Sequence, residues 1–267
     1  MTMTILASYL DGMRRSIRPI PQIQTTRLWE IDAVRGIAII MMVIYHFMWD
    51  LRGLGGYDIN VYTGFWHYFQ LATASLFTGL VGLSLTLSYN RARARGGQRL
   101  WRKFAGRGIQ IFSWGLVVGI VTFLFDPPRY VRFGILHLIG TSIILAYPFL
   151  RFRWLNLVLG VILLLLGKIA PLFIVSSGPL DWLISGARPR PAFDYFPLIP
   201  WFGVVLIGIF LGNLLYRGGS RRYPLLDDLR IAPARVLRLM GQNSLLIYLL
   251  HQPIMITILT LLGVVSL

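Results

Sequence analysis

The sequence predicts an all-α polytopic membrane bundle of about seven transmembrane helices, with the N-terminus cytoplasmic and the C-terminus outside. Three observations carry that expectation. The chain is 56% hydrophobic with a mean hydropathy of +0.66, far from the habit of soluble domains. Seven apolar segments, roughly 33–50, 65–88, 105–125, 133–150, 154–171, 198–216 and 242–264, are near or above the ~17–25 residues needed to span. They lack the alternation of barrel strands, and backbone groups in lipid must bond internally, so they read as helices. Finally, the charge is one-sided. Arg14, Arg15, Arg18 and Arg27 precede the first segment; Arg91, Arg93, Arg95, Arg99, Arg102, Lys103 and Arg107 lie between the second and third; Arg151 and Arg153 lie between the fourth and fifth; Arg217, Arg221, Arg222, Arg230, Arg235 and Arg238 lie between the sixth and seventh. Only Arg52, Arg129, Arg132, Arg188 and Arg190 fall in the alternate loops. The positive-inside rule then sets the orientation.

The net charge of +16 therefore reads as topology and contact with anionic lipid rather than as a nucleic-acid interface. The absence of cysteine excludes disulfides, thiol catalysis and Cys-based metal sites. Residues 1–28 form a basic cytoplasmic arm, and 29–267 a single membrane-embedded domain, with no internal repeat and no cleavable signal expected.

The first helix carries the most information. Asp32, Arg35, His46 and Asp50 fall within an arc of about 60° at 100° per residue. Ionisable groups at the centre of a membrane helix cost roughly 2.5–3.5 kcal/mol each, so a polar stripe of this kind marks a site or a path. Arg35 and His46 lie roughly 16 Å apart along the axis. Asp50, one turn from His46, can hold the imidazole tautomer and stabilise its protonated form, as a general base requires. In the second helix, His67 stands at the outer start inside Gly64-Phe65-Trp66-His67-Tyr68-Phe69, where an aromatic-belt role and a functional one weigh equally. Ala72, Ser75, Gly79 and Gly82 form a small-residue face, echoed by Gly208 and Gly212 in the sixth helix; both suit internal packing or a homodimer.

Arg102, Lys103 and Arg107, between the second and third segments, are a candidate set of cations for a phosphate-bearing donor, though topology alone also explains them. His137 lies near the outer end of the fourth. The outside loop 172–197, rich in Pro and aromatics and carrying Asp194, is either a cap over a cavity or a connector. The loop 217–240 is expected to hold a short surface helix. In the seventh helix Ser244, Tyr248 and His251 share a face, and Pro253 should kink the helix beside His251. All four histidines thus fall in the central or outer part of the membrane. No His-x₃-His spacing occurs, so no metal is expected.

The pattern Ile31-Asp32-Ala33-Val34-Arg35-Gly36-Ile37-Ala38 followed by His46 resembles the opening helix of acyltransferase-3-like membrane enzymes. The nearer resemblance is to the heparan-α-glucosaminide N-acetyltransferase catalytic-domain family and its bacterial relatives. It is carried further by Phe133-Gly134-Ile135-Leu136-His137, by Asp194-Tyr195-Phe196-Pro197-Leu198-Ile199-Pro200-Trp201-Phe202-Gly203, and by the stretch from Gly241 to Pro253. The resemblance implies a multi-pass protein of the bacterial inner membrane. It implies transfer of an acetyl or other acyl group from cytosolic acyl-CoA to an envelope sugar, glycan or glycolipid. By that analogy Arg35 sits near the donor, with Arg107 among the cations for its phosphates, and His46 near the acceptor. His46, Asp50, His67 and His137 are the catalytic candidates, and Asp32, Arg35, Arg107, Asp194, Tyr248 and His251 the substrate-binding ones. The eukaryotic enzyme, as the resemblance runs, carries asparagine at the His46 position and its histidine further on in the outside loop, which makes His67 the second candidate for the base. The competing reading is a transporter or flippase, proton-coupled through the histidines and Asp32.

Overall fold

The structure, a computed structural model, describes residues 28–174, 178–186, 191–217, 220–222 and 232–265. Eight α-helices run through them: α1 (Trp29–Gly53), α2 (Gly64–Ala94), α3 (Leu100–Phe125), α4 (Ile135–Ala146), α5 (Trp154–Phe173), α6 (Leu198–Leu215), α7 (Ala232–Gln242) and α8 (Ser244–Leu261). Six of them, all but α4 and α7, are long and apolar enough to cross a membrane. The protein is an all-α polytopic membrane bundle. A two-residue hairpin, β1 (Tyr216–Arg217) paired antiparallel with β2 (Ser220–Arg221), follows α6.

The fourth apolar segment, expected over 133–150, is shorter than a full span. Its α-helix has 12 residues, continued by a 3₁₀ turn at Tyr147–Phe149, so the regular part is about 18 Å long. Side chains satisfy backbone groups at both ends. The Ile135 N–H donates to Asp194 Oδ2 (2.8 Å). Beyond the other end, Asn156 Nδ2 donates to the carbonyls of Phe149 (2.9 Å) and Phe152 (2.5 Å), and Asn213 Nδ2 to that of Leu150 (3.3 Å). Irregular backbone at membrane depth is stable only with such partners.

Glycine sets the helix pairing. A Cβ at Gly82 would run into the Val205 carbonyl, one at Gly208 into that of Gly79, and one at Gly212 against Thr86. From Gly79–Gly208 to Thr86–Gly212 the contacts advance along both helices, so α2 and α6 lie parallel at backbone contact. The small-residue faces of both helices are therefore consumed within the chain. α5 packs antiparallel on α6 through Gly160 against Gly203 and Gly167 against Pro200, and α3 on α4 through Gly108 against Gly140 and Gly115 against His137. The core gathers on α6 and α4, where Val205, Leu206 and Ile209 meet Leu138 and Ile143. α3, α5 and α8 instead show broad apolar faces, among them Leu124, Leu172, Phe173 and Leu261.

The segment 232–242, expected as a surface helix, is a helix packed along the first half of α1. A Cβ at Gly36 would meet the Leu237 carbonyl, one turn before Gly241, and a Cβ at Gly241 would meet the Asp32 carbonyl, one turn before Gly36. The two helices thus run parallel. α8 resumes after Asn243 and keeps the same offset, which sets His251 beside His46. The helix is interrupted at Asn243, while Pro253 lies within the run assigned to α8.

At the end where α1 begins, Glu30 accepts from Arg221 Nε (2.9 Å), from its terminal nitrogen (2.8 Å) and from Tyr216 O–H (3.3 Å). This clasps the hairpin onto α1. The same end receives α6 at the 150–152 turn through Asn213, so that turn and the Arg221 strand lie at the same end of the bundle.

Candidate functional site

Two polar clusters lie along α1, one near its start and one near its end. In the first, Arg35 donates to Asp32 Oδ1 (2.8 Å) and to Ser84 Oγ of α2 (2.8 Å). Gln242 Nε2 donates to the other Asp32 oxygen (3.3 Å). Asp32 is buried, and Arg35 is held between three helices rather than reaching into lipid. Arg107, on the exposed side of α3, stands apart from this network.

In the second cluster the His46 and His251 rings lie edge to face, 4.8 Å between centroids. His46 Nδ1 is 2.9 Å from the Met42 carbonyl, and His251 Nδ1 is 2.6 Å from that of Tyr248. A carbonyl can only accept, so each Nδ1 carries the proton. Each neutral ring therefore presents its Nε2 lone pair. His251 Nε2 is buried without a partner. Two imidazoles, each fixed in one tautomer by its own helix, are held side by side with basic nitrogens free.

From His251 a chain of contacts crosses the end of the bundle. Tyr248, 5.7 Å from His251 between ring centroids, donates its O–H to Asp194 Oδ2 (3.3 Å). That same oxygen accepts from the start of α4. The 191–197 loop is pinned over the site by backbone bonds from Phe196 N–H to the Phe133 carbonyl and from Phe193 N–H to that of Arg129. The Phe193 ring packs on Trp49, 5.8 Å away, next to Asp50. The loop 191–197 is thus seated between α1, α4 and α8.

Asp194 is partly buried, and burial pushes its carboxyl up from the ordinary 3.8 to about 6, against the bonds from Ile135 and Tyr248 that pull it down. A carboxyl with a raised folded-state pKa binds its proton more tightly in the native protein. Its contribution to stability is complete below pH 3.8 and is lost as pH rises through about 6. Asp194→Asn is expected to flatten the fall in Tm across that window, measured by thermal unfolding in detergent at stepped pH. An unchanged Tm–pH slope would show that Asp194 does not titrate there.

The other sequence-designated residues are placed differently. His137 is buried, and its Nδ1 accepts from the Gly134 N–H (3.2 Å), so its proton sits on Nε2. Its ring lies between Phe112 (5.0 Å, edge-on) and Phe133 (5.6 Å, stacked). That is the geometry of a residue holding the first turn of α4. His67 is exposed at the start of α2, with its ring against Tyr68 (5.5 Å). The structure does not bring it into contact with the His46–His251 pair. Asp50 is 0% exposed, and both of its oxygens lack a hydrogen-bond partner. Gln252 faces it from α8.

The sequence reading did not single out Gln252, Ser84 or Gln242, nor the pairing of α1 with α7 and α8. One signal for that pairing was available. Gly36 precedes His46 by the same ten residues as Gly241 precedes His251. Two helices that share a close-approach glycine and a histidine at equal spacing can align in parallel with the histidines in contact.

No curated protein matches the chain. The family model for heparan-alpha-glucosaminide N-acetyltransferase, catalytic, matches residues 27–253, which span both polar clusters, the 191–197 loop and the whole helical bundle up to the middle of α8. The chain belongs to the heparan-alpha-glucosaminide N-acetyltransferase catalytic family.

Proposed function

We propose that this membrane protein is an acyltransferase that takes an acetyl or other acyl group from cytosolic acyl-CoA and delivers it to a sugar, glycan or glycolipid on the opposite side. His46 acts as the base. The observation that supports this most strongly is the His46–His251 pair, with both Nδ1 protons committed to backbone carbonyls and the Nε2 lone pairs available. Membership of the family makes acyl transfer the chemistry to expect.

The donor's phosphates enter at the basic end of the bundle, where Arg102, Lys103 and Arg107 supply positive charge and the Arg35–Asp32–Ser84 network lines the way in. The thioester reaches the far end of α1. His46 Nε2 takes the proton from the acceptor hydroxyl or amine as its oxygen or nitrogen attacks the thioester carbonyl. The tetrahedral adduct collapses with cleavage of the C–S bond, and the departing thiolate takes the proton from the imidazolium. The products are an ester or amide and free CoA, and His46 is returned neutral. Positioning supplies much of the rate, because reacting atoms held ~3–3.5 Å apart no longer need to meet from solution. His251 buttresses the His46 ring, and Tyr248 and Asp194 hold His251's helix against α4.

The test is CoA release from acetyl-CoA by the purified, detergent-solubilised protein, with and without a mixture of monosaccharides and glycolipids. Acceptor-dependent release is the expected result. Absence of both acetyl-CoA binding and CoA release would sink the transferase reading and favour a transporter.

A further inference from the structure

The far end of α1 holds more acceptor capacity than the histidine chemistry uses. Asp50 Oδ1 and Oδ2 and Gln252 Oε1 are buried without a hydrogen-bond partner, as is His251 Nε2; the Gln252 side-chain amide faces the carboxylate but leaves most of its lone pairs unmet. They converge from two helices: Asp50 lies one turn beyond His46 on α1, and Gln252 follows His251 on α8. Arg52, two residues beyond Asp50 on α1, is engaged elsewhere. Arg52 donates to the Ile59 carbonyl (2.9 Å) and lies over the Tyr62 ring, 4.9 Å from its centroid. The protons of both histidine Nδ1 atoms are likewise taken by backbone carbonyls. Buried acceptors without donors are costly and rare in native proteins. A carboxylate has about four lone-pair sites and no donor of its own. The group that belongs here must therefore bring several donors and little negative charge.

We propose that Asp50 and Gln252 form the subsite that reads the acceptor, binding the hydroxyl or amine next to the one His46 deprotonates. This rests on the transferase reading above. A sugar ring carrying neighbouring hydroxyl or amino groups supplies the required donors in one rigid unit: one on His46 Nε2, its neighbour on the Asp50 carboxylate and the Gln252 carbonyl. The subsite selects neutral or amino sugars. A uronate or phosphate at this position would bring acceptors and like charge against Asp50. Burying unmet groups in the free protein is also a known signature of a binding site, which gives up stability for affinity.

The experiment titrates glucose, glucosamine and glucuronate into the purified protein, read by tryptophan fluorescence, since Trp49 adjoins Asp50, and by Tm. Wild type, Asp50→Leu, Asp50→Asn and Gln252→Leu are compared. Glucose and glucosamine are expected to shift both signals, with glucuronate at least about tenfold weaker. Both Asp50 variants should bind at least about tenfold more weakly, the loss of one charge-assisted hydrogen bond. Their unliganded Tm should stay level or rise. Asp50→Leu with a lower Tm and intact sugar binding would make Asp50 a packing residue and overturn the proposal. So would equal binding of glucuronate, or no response to any sugar. Sugar binding as described, with no CoA release from acetyl-CoA, would remove the transferase reading while leaving the subsite. Transfer with an acceptor KM unaltered in Asp50→Leu would remove the subsite alone.

Discussion

His46→Ala is expected to lower acceptor-dependent CoA release by about 10²–10⁴-fold, the usual contribution of a positioned general base. The loss should fall on kcat more than on the KM for acyl-CoA, because the Arg35 end of α1 is untouched. Tm should change little. The His46 side chain bonds only to the carbonyl of its own helix at Met42 and packs edge-on against His251 and Tyr45. His251→Ala is expected to have a smaller effect, since it removes the ring that braces His46 rather than the base. Release that persists in His46→Ala and disappears in His67→Ala would move the base to the start of α2. A covalent acyl-protein adduct trapped from wild type and absent in His46→Ala would instead make His46 the acyl carrier.

The second large effect is on assembly. Gly208→Leu is expected to destabilise the bundle by more than about 3 kcal/mol, above the usual range for overpacking. The added Cβ meets the Gly79 carbonyl and backbone, not a side chain that can move. Accommodating it requires α2 and α6 to separate, and α6 carries Val205, Leu206 and Ile209, which are among the most deeply buried residues of the core. The expected readout is loss of a monodisperse detergent peak or a large fall in Tm. Gly106→Ala is the matched control. Gly106 lies on the exposed face of α3 with nothing within 4 Å of an added Cβ, so this change should be neutral or stabilise by up to about 1 kcal/mol through helix propensity. Equal damage from both substitutions would show that the glycine contact is not what holds α2 to α6.

The helices were legible because membrane burial writes itself into composition: six of the seven apolar segments match helices long enough to span, with ends shifted by a few residues. The fourth fell short at both ends: Pro148, in the 3₁₀ turn after Ala146, stops the α-helix locally, but its start carries no such local signal. Its start is set by a carboxylate from Asp194, far along the chain. The polar stripe on α1 was legible from helical phase alone, and Asp32 and Asp50 are both buried as that phase requires. Likewise the 4–3 spacing of Ser244, Tyr248 and His251 placed Tyr248 beside His251. What phase cannot supply is the neighbour. Nothing in α1 says that α8 rather than α2 covers His46, and the aromatic context at His67 left a belt role and a functional one equal, where the exposed ring fits the belt role. Likewise, sequence gives the tautomers no direction. His137 and His46 look alike as residues in apolar helices, yet one accepts from a helix start and the other donates to a helix carbonyl. The two rings thereby differ in which nitrogen is left over: Nε2–H in His137 and the Nε2 lone pair in His46.

The most direct test of transfer across the membrane uses sealed proteoliposomes sorted for one orientation. Acetyl-CoA labelled in the acetyl group is supplied to the side bearing the basic loops, with glucosamine, glucose and a glycolipid confined to the other. The account predicts label on the enclosed acceptor, matched by free CoA on the donor side, and neither in His46→Ala. Label that remains on CoA, or reaches an acceptor only when both are supplied to the same side, would contradict it.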